Sequence, residues 1–277
     1  MNVNEARTQW EKAAPGWAKW EDVFSRGVGA ATIKMLDMAN VTSGNNVLDL
    51  ASGAGNQTLI AAKRVGENGH VVANDISSTM LQHVMENSAK HGLSNISTQL
   101  GAVQELNIAP NSFDAAICRF ALMLFANPEI VLSKILEALK PGGKLGVMVF
   151  SQPEVNKFFV KPMQILLRNA GKKPPKGGPG LFSMGNPSTL EKLFDESGFV
   201  NIEISIHNLT FELPPAKDSL LMMQEAFGAY RAVISDCAEE VQKKAWEEVL
   251  ACLSSFETSK GIEAPAQILI GSAQKPA

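Results

Sequence analysis

Apolar residues arrive along this chain in two rhythms. Short, nearly unbroken apolar runs at Val47–Leu50, His70–Asn74, Ile96–Leu100, Ser112–Arg119 and Lys144–Phe150 read as strands buried on both faces. Between them the spacing lengthens to the helical period. Met80, Leu81, Val84 and Met85 share one side of a helix over Ser78–Lys90, capped by Ser77, and Asn127-Pro128-Glu129 opens another through Leu139 that Pro141-Gly142-Gly143 stops. Later, Val200–Phe211 alternates as a strand with Ile202, Ile204, Ile206 and Leu209 on its buried side, and Gln267–Ser272 reads as a last short strand. Strands alternating with helices predict βαβ units, hence an α/β fold with a doubly wound, mostly parallel seven-stranded sheet.

Three stretches do not keep this alternation. Asn4–Met38 is helical and carries Trp10, Trp17, Trp20 and Phe24 on one face, with Pro15-Gly16 predicting two helices joined by a hinge. Residues 151–185 and 214–260 are helical excursions. The first holds an apolar stripe of Phe158, Phe159, Met163, Leu166 and Leu167, a kink at Pro162 and the lysine-bearing loop Gly171–Gly180. Ser188 is expected to cap a further helix through Ser197. The whole chain, 1–277, is therefore expected to be one domain, with residues 1–40 as a helical cover and the two excursions as a lid above the strand ends.

Composition narrows the function. A net charge of −3 and a pI of about 5.9, without a basic stripe, argue against nucleic acid. Cys118, Cys237 and Cys252 are too scattered for a disulfide framework or zinc site. The polar Met1–Gln9 is not a signal peptide, and no apolar run reaches the roughly 20 residues of a membrane span. The expectation is a cytoplasmic protein, either monomer or homodimer.

The candidate chemistry gathers at the strand ends, where ligands of such sheets bind. In Val47–Leu59, VLDLASGAGNQTL, a strand breaks into a glycine-bearing turn and re-enters a helix, the form of a nucleotide-cofactor turn. Gly53 and Gly55 allow close approach of a ligand, and Asp49 offers a carboxylate to a cationic group. Asp75 ends the second strand, where a carboxylate accepts both hydroxyl hydrogens of a ribose, although it is also placed to cap the next helix. Arg119 ends the fourth strand after an apolar run. It is suited to pairing with Asp49, to binding an anionic substrate or to bracing a loop. Of four histidines, His207 alone approaches the excursions and is the candidate general base, with a surface histidine as the alternative.

VLDLASGAGN (Val47–Asn56), VVANDISSTML (Val71–Leu81), NSFDAAICR (Asn111–Arg119), LKPGGKLGVMVF (Leu139–Phe150) and GFVNIEI (Gly198–Ile204) together resemble the class I S-adenosylmethionine-dependent methyltransferases, specifically the ubiquinone/menaquinone-biosynthesis-type small-molecule group. The resemblance covers roughly residues 15–275. It implies S-adenosyl-L-methionine as cofactor, its methionine part held by Asp49, Ala51, Ser52, Gly53, Gly55 and Asn56, its ribose by Asp75, and its adenine packed on Ile76 and Met80. Two positions depart from the family pattern. Ala51 stands for the first glycine of the turn, and Ala102 for an acid that reads the adenine amino group, which leaves adenine to backbone groups and to Val103 or Gln104.

The resulting expectation is methyl transfer to O or C of a small, partly apolar acceptor, with Arg119 and His207 as the polar groups near the chemistry. No metal is expected, because Cys118-Arg119-Phe120 puts a cation where a metal site tends to have a carboxylate. A non-catalytic cofactor-binding protein on the same fold is the rival reading. An NAD-dependent oxidoreductase ranks below it, since the full GxGxxG is missing.

Overall fold

The computed structural model describes residues 2–174 and 177–277, so Pro175 and Lys176 of the predicted lysine-bearing loop lie outside the described residues. The parallel core is built from β1 (Asn46–Leu50), β2 (His70–Asp75), β3 (Ile96–Leu100), β4 (Phe113–Arg119) and β5 (Leu139–Phe150), with α2 (Asn56–Val65), α3 (Ser78–Lys90) and α4 (Pro128–Ala138) between them. Strands β6 (Val200–Leu213) and β8 (Gly261–Gln274) extend the sheet, giving the order β3-β2-β1-β4-β5-β8-β6. Strand β8 runs antiparallel to both β5 and β6, whereas the pairings among β1 to β5 are parallel. The sheet has eight strands rather than the expected seven, because the two-residue β7 (Glu257–Thr258) turns back onto the start of β8. Parallel pairing buries strands on both faces, and Val47, Leu48, Leu50, Ala115, Ala116 and Ile117 are fully enclosed.

Chain order reverses between β1 and β4, so a crevice opens beyond their carboxyl ends. Phe150, at the tip of β5, is level with Ile268 and with His207, and both β6 and β8 continue beyond it. That overshoot carries α7 (Ala216–Ala226), α8 (Gly228–Ile234) and α9 (Glu239–Ser254) over the same end of the sheet. They pack with α5 (Lys157–Asn169) from the first excursion, and the buried Tyr230 hydroxyl donates to the Phe159 carbonyl at 2.7 Å.

Several expectations are corrected. The N-terminal segment is one helix, α1 (Val3–Met38), and not two with a hinge. Pro15 removes one backbone donor, but Gly16 serves close packing. A Cβ there would collide with the backbone carbonyl of Glu225 in α7, so the glycine lets the two helices touch. Pro162, the expected kink, lies within α5, which runs as one helix across it. Helix α6 (Pro187–Glu196) is capped by Asn186, whose side chain accepts from Ser188 N–H at 3.0 Å; Ser188 is already helical. Pro141-Gly142-Gly143 lies within β5, where the register against β4 shifts, and does not only end a helix. On β6 Ile206, expected on the buried side, is exposed, at 55%, whereas Phe211 and Leu213 are buried. The strand is covered on one face by α6 and on the other by α1, so a single apolar phase does not describe it.

Candidate active site

Asp49 ends up fully buried in β1 because the strands on both sides shield it. Thr58 Oγ1 donates to its Oδ2 at 2.6 Å and Gln57 Nε2 to its Oδ1 at 3.2 Å, both from the first turn of α2. Burial pushes this carboxyl up from 3.8 to about 7, against those hydrogen bonds and the positive charge of Arg119. Thr58 and Gln57 escaped the sequence reading. Two polar residues just ahead of the apolar Leu59–Ala62 in α2 were the available signal.

The turn from Ala51 to Gly55 is clamped by the neighbouring strand tip. Asp75 Oδ2 accepts from Gly53 N–H at 3.0 Å and its Oδ1 from Ser77 N–H at 2.9 Å. Burial raises its pKa above the ordinary value. Ser52 N–H donates to the Asn74 carbonyl, and the Asn74 amide donates to the carbonyls of Gln99 and Gly101, which fixes the exits of β2 and β3 together. Asn74 is a further residue the sequence did not single out. Around Asp75, Met80, Ala102 and Val103 are buried and Ile76 is half-buried, forming an apolar border on the β3 side.

Backbone strain collects at this crevice. Five non-glycine residues among those described have positive φ; three are asparagines, which tolerate it, and the others are Ala51 (φ 49°) and Phe120 (φ 58°). One stands directly after β1 and the other directly after β4, on the two sides of the strand-order reversal. Gly53 is left-handed as well (φ 58°), and nothing lies within 4 Å of where its Cβ would stand, so that side of the turn is open to a ligand.

Arg119 ties two helices together. Its Nη1 donates to Thr32 Oγ1 of α1 and to Asn56 Oδ1, each at 3.0 Å, and among the described residues it forms no ion pair, with Asp49 or any other carboxylate. Burial lowers its pKa to about 10 but leaves it cationic, facing the negative Asp49 and Glu21. Helix α1 lies across the site and is fastened by carboxylates. Glu11 Oε1 accepts from Thr79 Oγ1 at 2.5 Å at the start of α3, and the hydroxyls of Ser77, Thr79 and Ser78 hold its pKa down at about 2. Glu21 Oε1 accepts from Asn56 N–H at 2.8 Å at the start of α2, where no side-chain cap exists. Neither glutamate was expected, since their partners are more than 30 residues away.

Beyond Phe120 the crevice is walled by aromatic rings. Phe120 stacks on Phe150 with centroids 4.7 Å apart and planes 23° apart. Phe150 also meets Phe159 at 4.7 Å, and Phe24, Phe211 and Phe227 continue the wall toward α1 and α7. Of the expected lid stripe, Phe158, Phe159, Leu166 and Leu167 are buried. His207 is not brought to the crevice. It stands on the edge strand β6, two strands from β5, with its Nε2 2.8 Å from Ser205 Oγ. Cys118 is fully buried, and burial pushes its thiol up to about 12, which suits a core residue. Among the described residues no group of three or more His, Cys, Asp and Glu side chains is arranged to hold a metal ion, and no helix is long and apolar enough to cross a membrane.

Residues 41–166 match the family model described as "Methyltransferase domain". The ubiquinone/menaquinone biosynthesis C-methyltransferase of Methylococcus capsulatus is 34% identical over 153 residues, 54% of this chain and 61% of that protein. Its counterpart in Pseudomonas aeruginosa is 30% identical over 186 residues, 63% of this chain and 72% of that protein. The chain thus spans about three fifths to three quarters of the length of these curated relatives. Among solved structures, phosphoethanolamine N-methyltransferase 2 of Haemonchus contortus, in complex with S-adenosyl-L-methionine, superposes with a TM-score of 0.54 at 19% identity, over 90% of this chain and 53% of that one. At that identity the likeness is one of fold.

Proposed function

Because the chain belongs to the class I S-adenosylmethionine-dependent methyltransferases of the ubiquinone/menaquinone-biosynthesis type, we propose that it transfers a methyl group from S-adenosyl-L-methionine to carbon of a small, flat, largely apolar acceptor. The observation that carries this reading is the pairing of a glycine turn with two buried carboxylates, Asp49 and Asp75, at the strand-order reversal. The residues present fit the cofactor. The open side of Gly53 admits close approach, Asp75 keeps lone pairs free for the ribose hydroxyls, and Ile76, Met80, Ala102 and Val103 offer an apolar bed for adenine. Asp49, with Thr58 and Gln57 behind it, sets a negative charge under the amino-acid end.

The sulfonium, when bound, supplies an already activated methyl group. The chain's own task is then alignment and exclusion of water. Holding an acceptor in line contributes roughly 7–11 kcal/mol in good intramolecular cases. Phe120 and Phe150, at adjacent strand tips, give a flat acceptor a face to stack on, and the rings around Phe159 keep the crevice dry. Arg119 holds Asn56 and Thr32, and so keeps α1 and the start of α2 in place beside the reacting groups. The relatives' names point to carbon as the nucleophile and to quinone precursors as acceptors. The aromatic wall favours the same class.

The test is turnover. The purified chain, with S-adenosylmethionine and a panel of hydroxylated, alkyl-substituted aromatic rings beside aliphatic amines, is expected to form S-adenosylhomocysteine only with the rings, and to do so after dialysis against EDTA. Cofactor binding without S-adenosylhomocysteine formation on any acceptor would instead favour a non-catalytic binding protein. Loss of turnover on chelation would contradict the metal-free reading.

A further inference from the structure

Two buried side-chain polar atoms among the described residues have no hydrogen-bond partner, the Trp17 indole Nε1 and the Ser25 hydroxyl Oγ. Both belong to α1. Eight positions are little more than two helical turns, so the two residues share a face and stand about 12 Å apart along the axis. That face is the inner one. Trp17 packs with Ala14 against Ala54 of the glycine-bearing turn and Met80 of α3. Glu21, between them in sequence, takes the Asn56 N–H, and Thr32, further along, takes Arg119. An orphaned polar group in a protein interior is costly and uncommon. Here both orphans fall on the one helix face that crosses the cofactor turn.

We infer that Trp17 Nε1 and Ser25 Oγ are hydrogen-bond partners of the cofactor, and that the inner face of α1 is a wall of its site; this rests on the methyltransferase reading above. The indole can only donate, so it must face an acceptor atom of the ligand. Its packing against the cluster of Ala14, Ala54 and Met80 sets it beside the start of α3, on the adenosine side. Ser25 lies between the Glu21 and Thr32 contacts, toward Asn56 and Arg119, on the amino-acid side. A hydroxyl there can donate to a carboxylate or accept from an ammonium group. One extended molecule, with an adenosine at one end and an amino acid at the other, satisfies both atoms at their separation.

S-Adenosylhomocysteine is the probe, titrated calorimetrically into the full chain. Binding to the wild type is the control on the methyltransferase reading, so failure of that reading is seen separately. Trp17→Phe keeps an aromatic ring and removes the N–H, and Ser25→Ala removes only a hydroxyl. Each variant is expected to bind about 5- to 15-fold more weakly, the loss of one hydrogen bond. Ser25→Ala is also expected to match or exceed the wild-type Tm without ligand and to gain less from ligand. In indole-labelled protein the Trp17 N–H resonance, assigned by its loss in Trp17→Phe, should shift on binding and exchange more slowly. Wild-type affinity in either variant removes that residue from the site. An unmoved indole resonance, or a weaker-binding Ser25→Ala whose ligand-free Tm has fallen, makes the role structural and overturns the assignment.

Discussion

The strand-end half of the molecule from β1 to β3 and the helical cap of α5 and α7–α9 are held together by different physics. In the first, short polar side chains at fixed register positions meet backbone groups or one another. Asp75 takes Gly53 and Ser77, Asn74 takes Gln99 and Gly101, and Asp49 takes Thr58 and Gln57. In the cap, rings pack on rings, as Phe159 does on Phe150, Phe158 and Phe211, while the ion pairs there, such as Arg168–Glu248, face solvent. Directional bonds specify where a ligand atom goes; ring packing specifies a dry volume and tolerates rearrangement. The difference fits a half that grips one constant cofactor and a half that adapts to an acceptor.

The largest effect should come from the cap. Phe159 is 3% exposed and touches four other rings. Phe159→Ala should cost about 3–5 kcal/mol of stability, as deletion of a core ring usually does. If the two halves are separable, S-adenosylhomocysteine affinity at low temperature should change less than threefold. Chemical denaturation and calorimetry on the same variant decide it. A proportionate loss of affinity would show that the cap helps to shape the cofactor grip.

Asp75→Ala should do the reverse. Losing hydrogen bonds to a charged acceptor, about 1.5–3 kcal/mol, should weaken S-adenosylhomocysteine binding more than tenfold while the cap stays folded. Affinity unchanged in a folded variant would remove Asp75 from the site.

Asp49 gives the comparison a pH signature. Its folded pKa is raised from 3.8 to about 7, so between those values the folded chain keeps a proton that the unfolded chain has lost. Stability therefore falls as pH rises through that window, by at most roughly 1.4 kcal/mol per pH unit from this group, and levels off above it. Asp75 and Glu21, also raised by burial, add slopes of the same sign. Asp49→Asn should flatten the dependence of Tm on pH from 4 to 7. A positively charged ligand should also expel the proton, so S-adenosylmethionine binding near pH 6.5 should release protons, seen as buffer-dependent binding enthalpy. A Tm profile with the same slope in Asp49→Asn would show that the buried carboxyl is not what titrates.

The same division governs what could be read from the sequence. Buried parallel strands announce themselves as apolar runs whose ends are strand tips, so the places of Asp49, Asp75 and Arg119 were legible. What each side chain bonds to was less so. Pro15-Gly16 looks like a hinge because local rules treat Gly as flexible, whereas its reason is the Glu225 carbonyl in a helix about 200 residues away. Nothing local marks Glu11 and Glu21, and only the docking of α1 across α2 and α3 turns them into caps. Ile206 reads as buried on the rule that an alternating strand has one covered face, whereas β6 is covered on both.

The smallest predicted effect concerns the turn itself. Ala51 occupies a position where the family pattern has glycine, yet its φ of 49° is the left-handed value that glycine adopts freely. A Cβ in that region costs about 1–2 kcal/mol. Substituting glycine relieves this but loosens the unfolded chain, which takes back roughly 0.4–1 kcal/mol. Ala51→Gly should therefore stabilise the ligand-free protein by about 0.5–1 kcal/mol in denaturant titrations, with no change in the cap. Because the left-handed turn is already formed around Ser52 N–H and Gly55 N–H, the gain should appear without a change in the cofactor's contacts, and S-adenosylhomocysteine affinity should stay within about twofold. A destabilised Ala51→Gly would mean that the alanine methyl, half-buried against the core, contributes more packing than its backbone strain costs.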